Sequence, residues 1–220
     1  MDGVSSGASS GMKRRILVDI SAHGFGHVAQ TSPVVNALFR RFHGLEVFVR
    51  SGLPILEGRL ECPFEWINRS VDLGIVMKNA VDVDAAATAS AYLAFHENWK
   101  KRVDDEAKWL GSMAFDLVLC NAPYLPLQAA SLADIPSVAL CSLNWADLYM
   151  YYCSSFPGSD TILGEMLEAY KSAAVFLRVE PGMPMDWAGG DWIGPVAVAG
   201  KDGRNAIRKR LGLKQDEKLA

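Results

Sequence analysis

No stretch of this 220-residue chain is apolar over the roughly 18–20 residues that a membrane-crossing helix requires. Nor is there a run of Lys and Arg longer than three residues, and the net charge is −3. Both facts argue against a dedicated nucleic-acid binder, whose affinity rests on neutralising phosphates. Cysteine is sparse: Cys62, Cys120, Cys141 and Cys153 form no CxxC pair, and two of them sit inside apolar runs. That pattern reads as buried thiols in a reducing compartment, not as a disulfide framework or a zinc site. The first residues, Met1 to Gly11, are mainly Ser and Gly and lack the apolar centre of a signal peptide. They are expected to be a flexible leader over residues 1–12, and the protein is expected to be cytoplasmic. Half of the residues are hydrophobic and only 21% are charged, so the chain has ample material for a packed core and is not intrinsically disordered.

Short β-branched runs punctuate the chain. Arg15–Ser21, Glu46–Gly52 (closed by Pro54), a weaker Phe64–Arg69, Phe115–Cys120, Ser137–Cys141 and Ala174–Val179 read as buried strands. Between them lie helical patterns over Val28–Phe42, Leu127–Ala133 and Thr161–Ser172. Asp84–Met113 reads as one long amphipathic helix, with Tyr92, Phe95, Trp99, Val103, Ala107 and Leu110 on one face and a solvated charged face opposite. Gly182–Gly194 lacks periodicity and reads as irregular connection, and Ala206–Leu211 as a short basic helix stopped by Gly212. Alternating strands and helices predict an α/β fold, Rossmann-like, with a parallel sheet and helices on both faces. The chain halts at Lys218-Leu219-Ala220, where a new apolar strand is expected, so this end reads as a cut.

The segment that carries chemistry is Ser21-Ala22-His23-Gly24-Phe25-Gly26-His27-Val28, at the junction of first strand and first helix. Ligands of open α/β sheets bind outside the carboxyl ends of strands. Gly24 and Gly26 allow close approach of the backbone to a ligand, and the N–H groups that open the helix offer an anion site. His23 and His27 add groups that titrate near neutrality and serve as base or donor. Gly24-x-Gly26-x-x-Ala29 also fits a dinucleotide fingerprint, but the second strand ends in Arg50 where an NAD site wants an acid. An NADP oxidoreductase, with Arg50 on the 2′-phosphate, is therefore a lesser alternative. No metal site is expected, because the two histidines occupy a glycine loop with no carboxylate between them. His43 and His96 read as structural.

Gly24-Phe25-Gly26-His27 after a strand resembles the acceptor-side loop of GT-B glycosyltransferases. His23–His27, Asp72-Leu73-Gly74-Ile75-Val76 with Asp84, and Asn144-Trp145-Ala146-Asp147-Leu148-Tyr149 together resemble the glycosyltransferase-like N-terminal region of plant arabinokinases and their bacterial relatives. The resemblance spans about residues 13–218. It implies that residues 13–195 form the acceptor half of a GT-B architecture, and that residues 196–220 are the linker and start of a C-terminal donor domain. The implied reaction is metal-independent transfer of a sugar from a nucleotide-sugar, expected to be a UDP-sugar, to a hydroxyl on a sugar or small-molecule acceptor, with no other cofactor.

On that resemblance His27 is the general base, and the position of its orienting carboxylate falls on Asn121. Asn fixes a tautomer but offers no negative charge. Gln30 stands where relatives often carry Arg, and Lys78-Asn79 where closer ones show Gln-Asp. A non-catalytic binding module with a retired site is therefore the alternative, and the 220 residues alone are expected to be inactive. His23, Gly24, Gly26, Trp145 and Asp147 are the expected substrate-binding residues. Asp72 and Asp84 read mainly as solvated acids, and Asp186, Trp187 and Trp192 as inter-domain contacts.

Overall fold

The structure, a computed structural model, describes residues 13–53, 58–198, 200, 202–214 and 217. The expected leader, Pro54 and the chain end at 218–220 lie outside these residues. Strands β1 (Arg14–Ile20), β2 (Leu45–Arg50), β3 (Phe64–Ile67), β4 (Leu117–Asn121), β5 (Ser137–Cys141), β6 (Val175–Val179) and β7 (Asp191–Ile193) form one sheet. Its order is β3-β2-β1-β4-β5-β6-β7, and every pair is parallel. Helices are α1 (Phe25–Arg41), α2 (Ala85–His96), α3 (Trp99–Ser112), α4 (Leu125–Leu132), α5 (Trp145–Cys153), α6 (Ser159–Lys171) and α7 (Arg204–Leu211). This is the expected α/β Rossmann-like fold.

Strand β1 shows why both faces need cover. Ile16, Val18 and Ile20 point to one side and pack with Val28 and Val35 of α1, whereas Leu17 points to the other, where α2 to α6 build the larger core. A strand buried on both faces has no polar alternate, which is the sequence signature of a parallel sheet. Asp19 breaks that rule. It is fully buried, and its two oxygens accept from Arg50 Nε at 2.6 Å and Nη2 at 2.8 Å. Glu106 of α3, also buried, brings Oε1 to 2.5 Å from Arg50 Nη2 as a charge contact without hydrogen-bond alignment, and the guanidinium lies 4.4 Å from the Trp109 ring centroid. Burial works against the Arg50 charge, but Asp19 and Glu106 more than offset it and hold the guanidinium cationic. Arg50 is thus committed to the interior and has no face for a 2′-phosphate, which removes the basis of the NADP reading.

Three elements depart from expectation. The long helix over Asp84–Met113 is two helices, α2 and α3, because Asn98 leaves the helical region (φ −125°, ψ 43°) as the N-cap of α3. Helix α5, nine residues and apolar nearly all round, has no amphipathic period to read. Strand β7 is three residues long and sits in the supposedly irregular segment, too short for any alternation. His96 is structural as expected: its Nδ1 lies 2.7 Å from Glu165 and its Nε2 2.7 Å from the Tyr124 hydroxyl, with the ring stacked on Trp99. Among the described residues no helix is long and apolar enough to cross a membrane.

Candidate active site

The strand order reverses direction between β1 and β4, and a crevice opens there at the carboxyl ends. Ile20 at the end of β1 pairs with Asn121 at the end of β4, and Ser21 N–H donates to the Asn121 carbonyl at 3.2 Å. The loop leaving β1 turns directly into α1, so its first helical turn carries His27 back over the end of β4. His27 Nδ1 meets Asn121 Oδ1 at 2.8 Å, and Asn121 Nδ2 donates to Gln30 Oε1 at 2.9 Å. With the amide oxygen turned to His27, the imidazole proton sits on Nδ1 and Nε2 keeps its lone pair.

The backbone behind Asn121 is strained. Ala122 adopts φ 77°, a left-handed conformation that costs an L-residue energy and persists only where the surroundings enforce it. Tyr170 enforces it here: its buried hydroxyl donates to the Ala122 carbonyl at 2.6 Å and accepts the Trp145 N–H at 3.0 Å. One phenol therefore ties the loop after β4 to the start of α5.

A cleft of about 580 Å³ lies in front of these groups. His23, Gly24, Gly26, His27 and Gln30 line it, together with Arg59, Ser142 and Val196 to Val198. Neither Gly24 nor Gly26 has any atom within 4 Å of where a Cβ would sit, so packing does not require glycine at either place. A side chain there would instead intrude on the cleft. Arg59, exposed, is the Lys or Arg side chain that the described lining contains, and it brings a cation to the cleft where Gln30 brings none.

The structure divides the expected binding residues. His23, Gly24 and Gly26 face the cleft with His27. Trp145 does not: it is fully buried, behind the histidines, edge-on to His23 with ring centroids 5.1 Å apart and tilted against His27 at 6.0 Å. Asp147 is also placed elsewhere. It closes a reciprocal cap with Asn144, each bond 2.8 Å, and its other oxygen accepts from Trp187 Nε1 at 2.7 Å. Trp145 therefore has no surface to offer a sugar, whereas Asp147 is half-buried and lines a separate cleft with Met183 and Trp187. Trp187 is half-buried, packing on Tyr170 and Phe176 at the edge of the core. Trp192 is exposed beneath the Arg178 guanidinium.

The acids Asp72 and Asp84 are not simply solvated. Asp84 caps α2 by accepting from Ala87 N–H. Asp72 accepts from Trp145 Nε1 at 2.8 Å and from the Ser21 hydroxyl, which itself accepts from His23 N–H at 3.2 Å. Burial pushes the Asp72 carboxyl up, opposed by those two hydrogen bonds and by the neighbouring histidines. For His23, burial on the Trp145 side pushes the pKa down, with His27 adding to the effect and Asp72 opposing it. His23 is thus a neutral hydrogen-bonding group at pH 7.

Gly74 completes the arrangement, at φ 67° and so close to His23 that a Cβ would fall 2.5 Å from Nδ1. Nothing short of the fold reveals that contact, although Asp-Leu-Gly between two patterned segments is a turn signal. Among the described residues no group of three or more His, Cys, Asp or Glu is placed to hold a metal ion. A groove of similar size, about 620 Å³, lies between α3, α4 and α6; Lys100, Asp104, Glu168 and Lys171 line it without a histidine or a cysteine among them.

No protein-family profile matches the chain. In sequence it is similar to the L-arabinokinase of Arabidopsis thaliana, 26% identical over 204 residues that cover 90% of this chain and 19% of that protein. The chain thus spans about a fifth of the length of the relative it matches. Among solved structures it is similar to Phytolacca americana UGT2 (13% identity, TM-score 0.49, covering 89% of this chain and 57% of that one). It is likewise similar to Acinetobacter baumannii MurG (16%, 0.45, 94% and 50%). Likenesses this distant say nothing about chemistry. What the comparisons establish is a sequence similarity, over nine-tenths of this chain, to one segment of a much longer plant L-arabinokinase.

Proposed function

We propose that this chain is the acceptor-side half of a GT-B glycosyltransferase-like protein, working with a nucleotide-sugar half that follows it or joins it. One observation carries the reading: a histidine at the topological switch point, its Nδ1 fixed by Asn121 and its Nε2 open to a cleft. In the proposed reaction Nε2 takes the proton of an acceptor hydroxyl as its oxygen bonds to the anomeric carbon of the donor sugar. The anomeric C–O bond to the diphosphate breaks, and the nucleoside diphosphate leaves with that electron pair. Arg59 and the free N–H groups at the start of α1 supply positive potential across the cleft. A UDP-sugar is the donor proposed, with no metal and no further cofactor. The acceptor is a sugar or comparable small hydroxyl compound, because Gly24 and Gly26 leave open space beside His27.

The test is incubation of the native gene product with a panel of nucleotide-sugars and monosaccharides, read by mass spectrometry and nucleoside diphosphate release. The expected result is an acceptor heavier by one glycosyl unit. Asn121→Asp separates this reading from a retired binding module. A carboxylate stabilises the imidazolium that Asn121 only orients, and Gln30 can turn its amide to donate to it. A working site gains about tenfold or more in kcat, whereas a retired one shows neither transfer nor gain.

A further inference from the structure

The Asn at position 121 leaves His27 without a carboxylate at its Nδ1, yet one carboxylate stands behind it. Asp72 Oδ2 accepts the Trp145 Nε1 proton at 2.8 Å, and the same indole lies against both His23 and His27. Trp145 has no solvent exposure, so the ring that separates Asp72 from the imidazoles is a dry, low-dielectric path. Ser21 completes the hold on Asp72: it leaves the end of β1, donates to the carboxylate and accepts from His23 N–H. We propose that Asp72 is a positioning residue that supplies, across the buried Trp145 indole, the negative charge that Asn121 does not give His27. This deepens the transferase reading and rests on it only in making His27 the base.

The groups that face the pair are few. His27 meets Asn121 from β4, Gln30 from its own helix, His23 from the loop before it and Trp145 from α5, with Arg59 in the same cleft lining. Asp72 has Ser21 and Trp145 as donors, with Tyr92, Asp19 and the two histidines within electrostatic reach. Among the titratable groups, His23 is neutral at pH 7 and Arg59 is exposed to solvent, where screening weakens it. Asp72 is left as the half-buried carboxyl on the indole side, pushed up by burial and held down by its hydrogen bonds and the histidines. Each of its two hydrogen-bond donors favours the ionised carboxylate.

The test needs neither donor nor acceptor, and so separates this proposal from the transfer reaction itself. The imidazole resonances of His27 are followed by NMR against pH in the 220-residue chain, in Asp72→Asn and in Asp72→Ser. The smaller serine guards against a single variant that does not fold. Asn at position 72 keeps an acceptor for the indole and loses only the charge. The expected result is a titration midpoint for His27 lower by about 0.5–1 pH unit in both variants. Asp82→Asn, an exposed acid of the same segment, is expected to leave it unchanged. In an Asn121→Asp background the adjacent carboxylate takes over, and Asp72→Asn then moves the midpoint less. Folded Asp72 variants in which His27 titrates as in the parent overturn the proposal and leave the transfer reading standing. Loss of transfer activity elsewhere, with the His27 shift intact, does the reverse.

Discussion

Replacing His27 with alanine is expected to lower kcat of the native gene product by about 10²–10⁴, the usual contribution of a positioned general base. The effect concentrates in kcat because the imidazole acts on a proton that moves only as the new bond forms. Binding of the acceptor, held by the rest of the cleft, changes little. Folding is also expected to survive: His27 faces an open cleft with its far nitrogen, and Asn121 keeps Gln30 as a partner when the ring is gone. His27→Gln is the sharper variant, since it fills the space and can hydrogen-bond Asn121 but cannot take a proton. Kinetics of both variants that match the parent would remove His27 from the reaction.

Replacing Arg50 with alanine is expected to destabilise the fold by about 3–5 kcal/mol, measured by urea denaturation. The size comes from what remains. Asp19 and Glu106 are both fully enclosed, and without the guanidinium between them two carboxylates stand in a dry interior. Arg69, more than half exposed, reaches Glu106 at 3.3 Å and cannot replace a buried cation. A triple variant, Asp19→Asn with Arg50→Met and Glu106→Gln, is expected to recover much of the loss, because no charge is then left unpaired. A loss below about 1 kcal/mol in Arg50→Ala would mean that water reaches the cluster.

These two sites differ in how far the residues themselves disclosed them. The strand–glycine loop–helix junction was readable because three signals coincide within eight residues: a β-branched run, two glycines and a helical period starting at Val28. The pairing of His27 with Asn121 came only through resemblance, since 94 residues separate them and no local pattern links the ends of β1 and β4. Arg50 misled for a physical reason. A charged residue at the end of an apolar strand looks like a ligand contact until Glu106, 56 positions on and in a helix whose charged face reads as solvated, is seen to turn inward. Asp72 and Trp145 mislead in the opposite direction, one reading as solvated and the other as substrate-binding, because a hydrogen bond across 73 residues leaves no trace in sequence. The break between α2 and α3 was hidden by spacing, as Phe95 and Trp99 keep a helical interval across the non-helical Asn98. Short-range periodicity thus reported the elements, and the site's supporting contacts, all of long range, had to come from the fold.

The central claim is that His27 presents an unprotonated Nε2 to the cleft. Long-range ¹⁵N–¹H NMR of the histidine rings in this chain, above the titration of His27, tests it most directly. The arrangement of Gln30, Asn121 and His27 predicts a neutral ring protonated on Nδ1, with Nε2 showing the downfield shift of a bare lone pair. A ring protonated on Nε2 would mean that Asn121 offers its amide N–H to His27, and that no base faces the cleft.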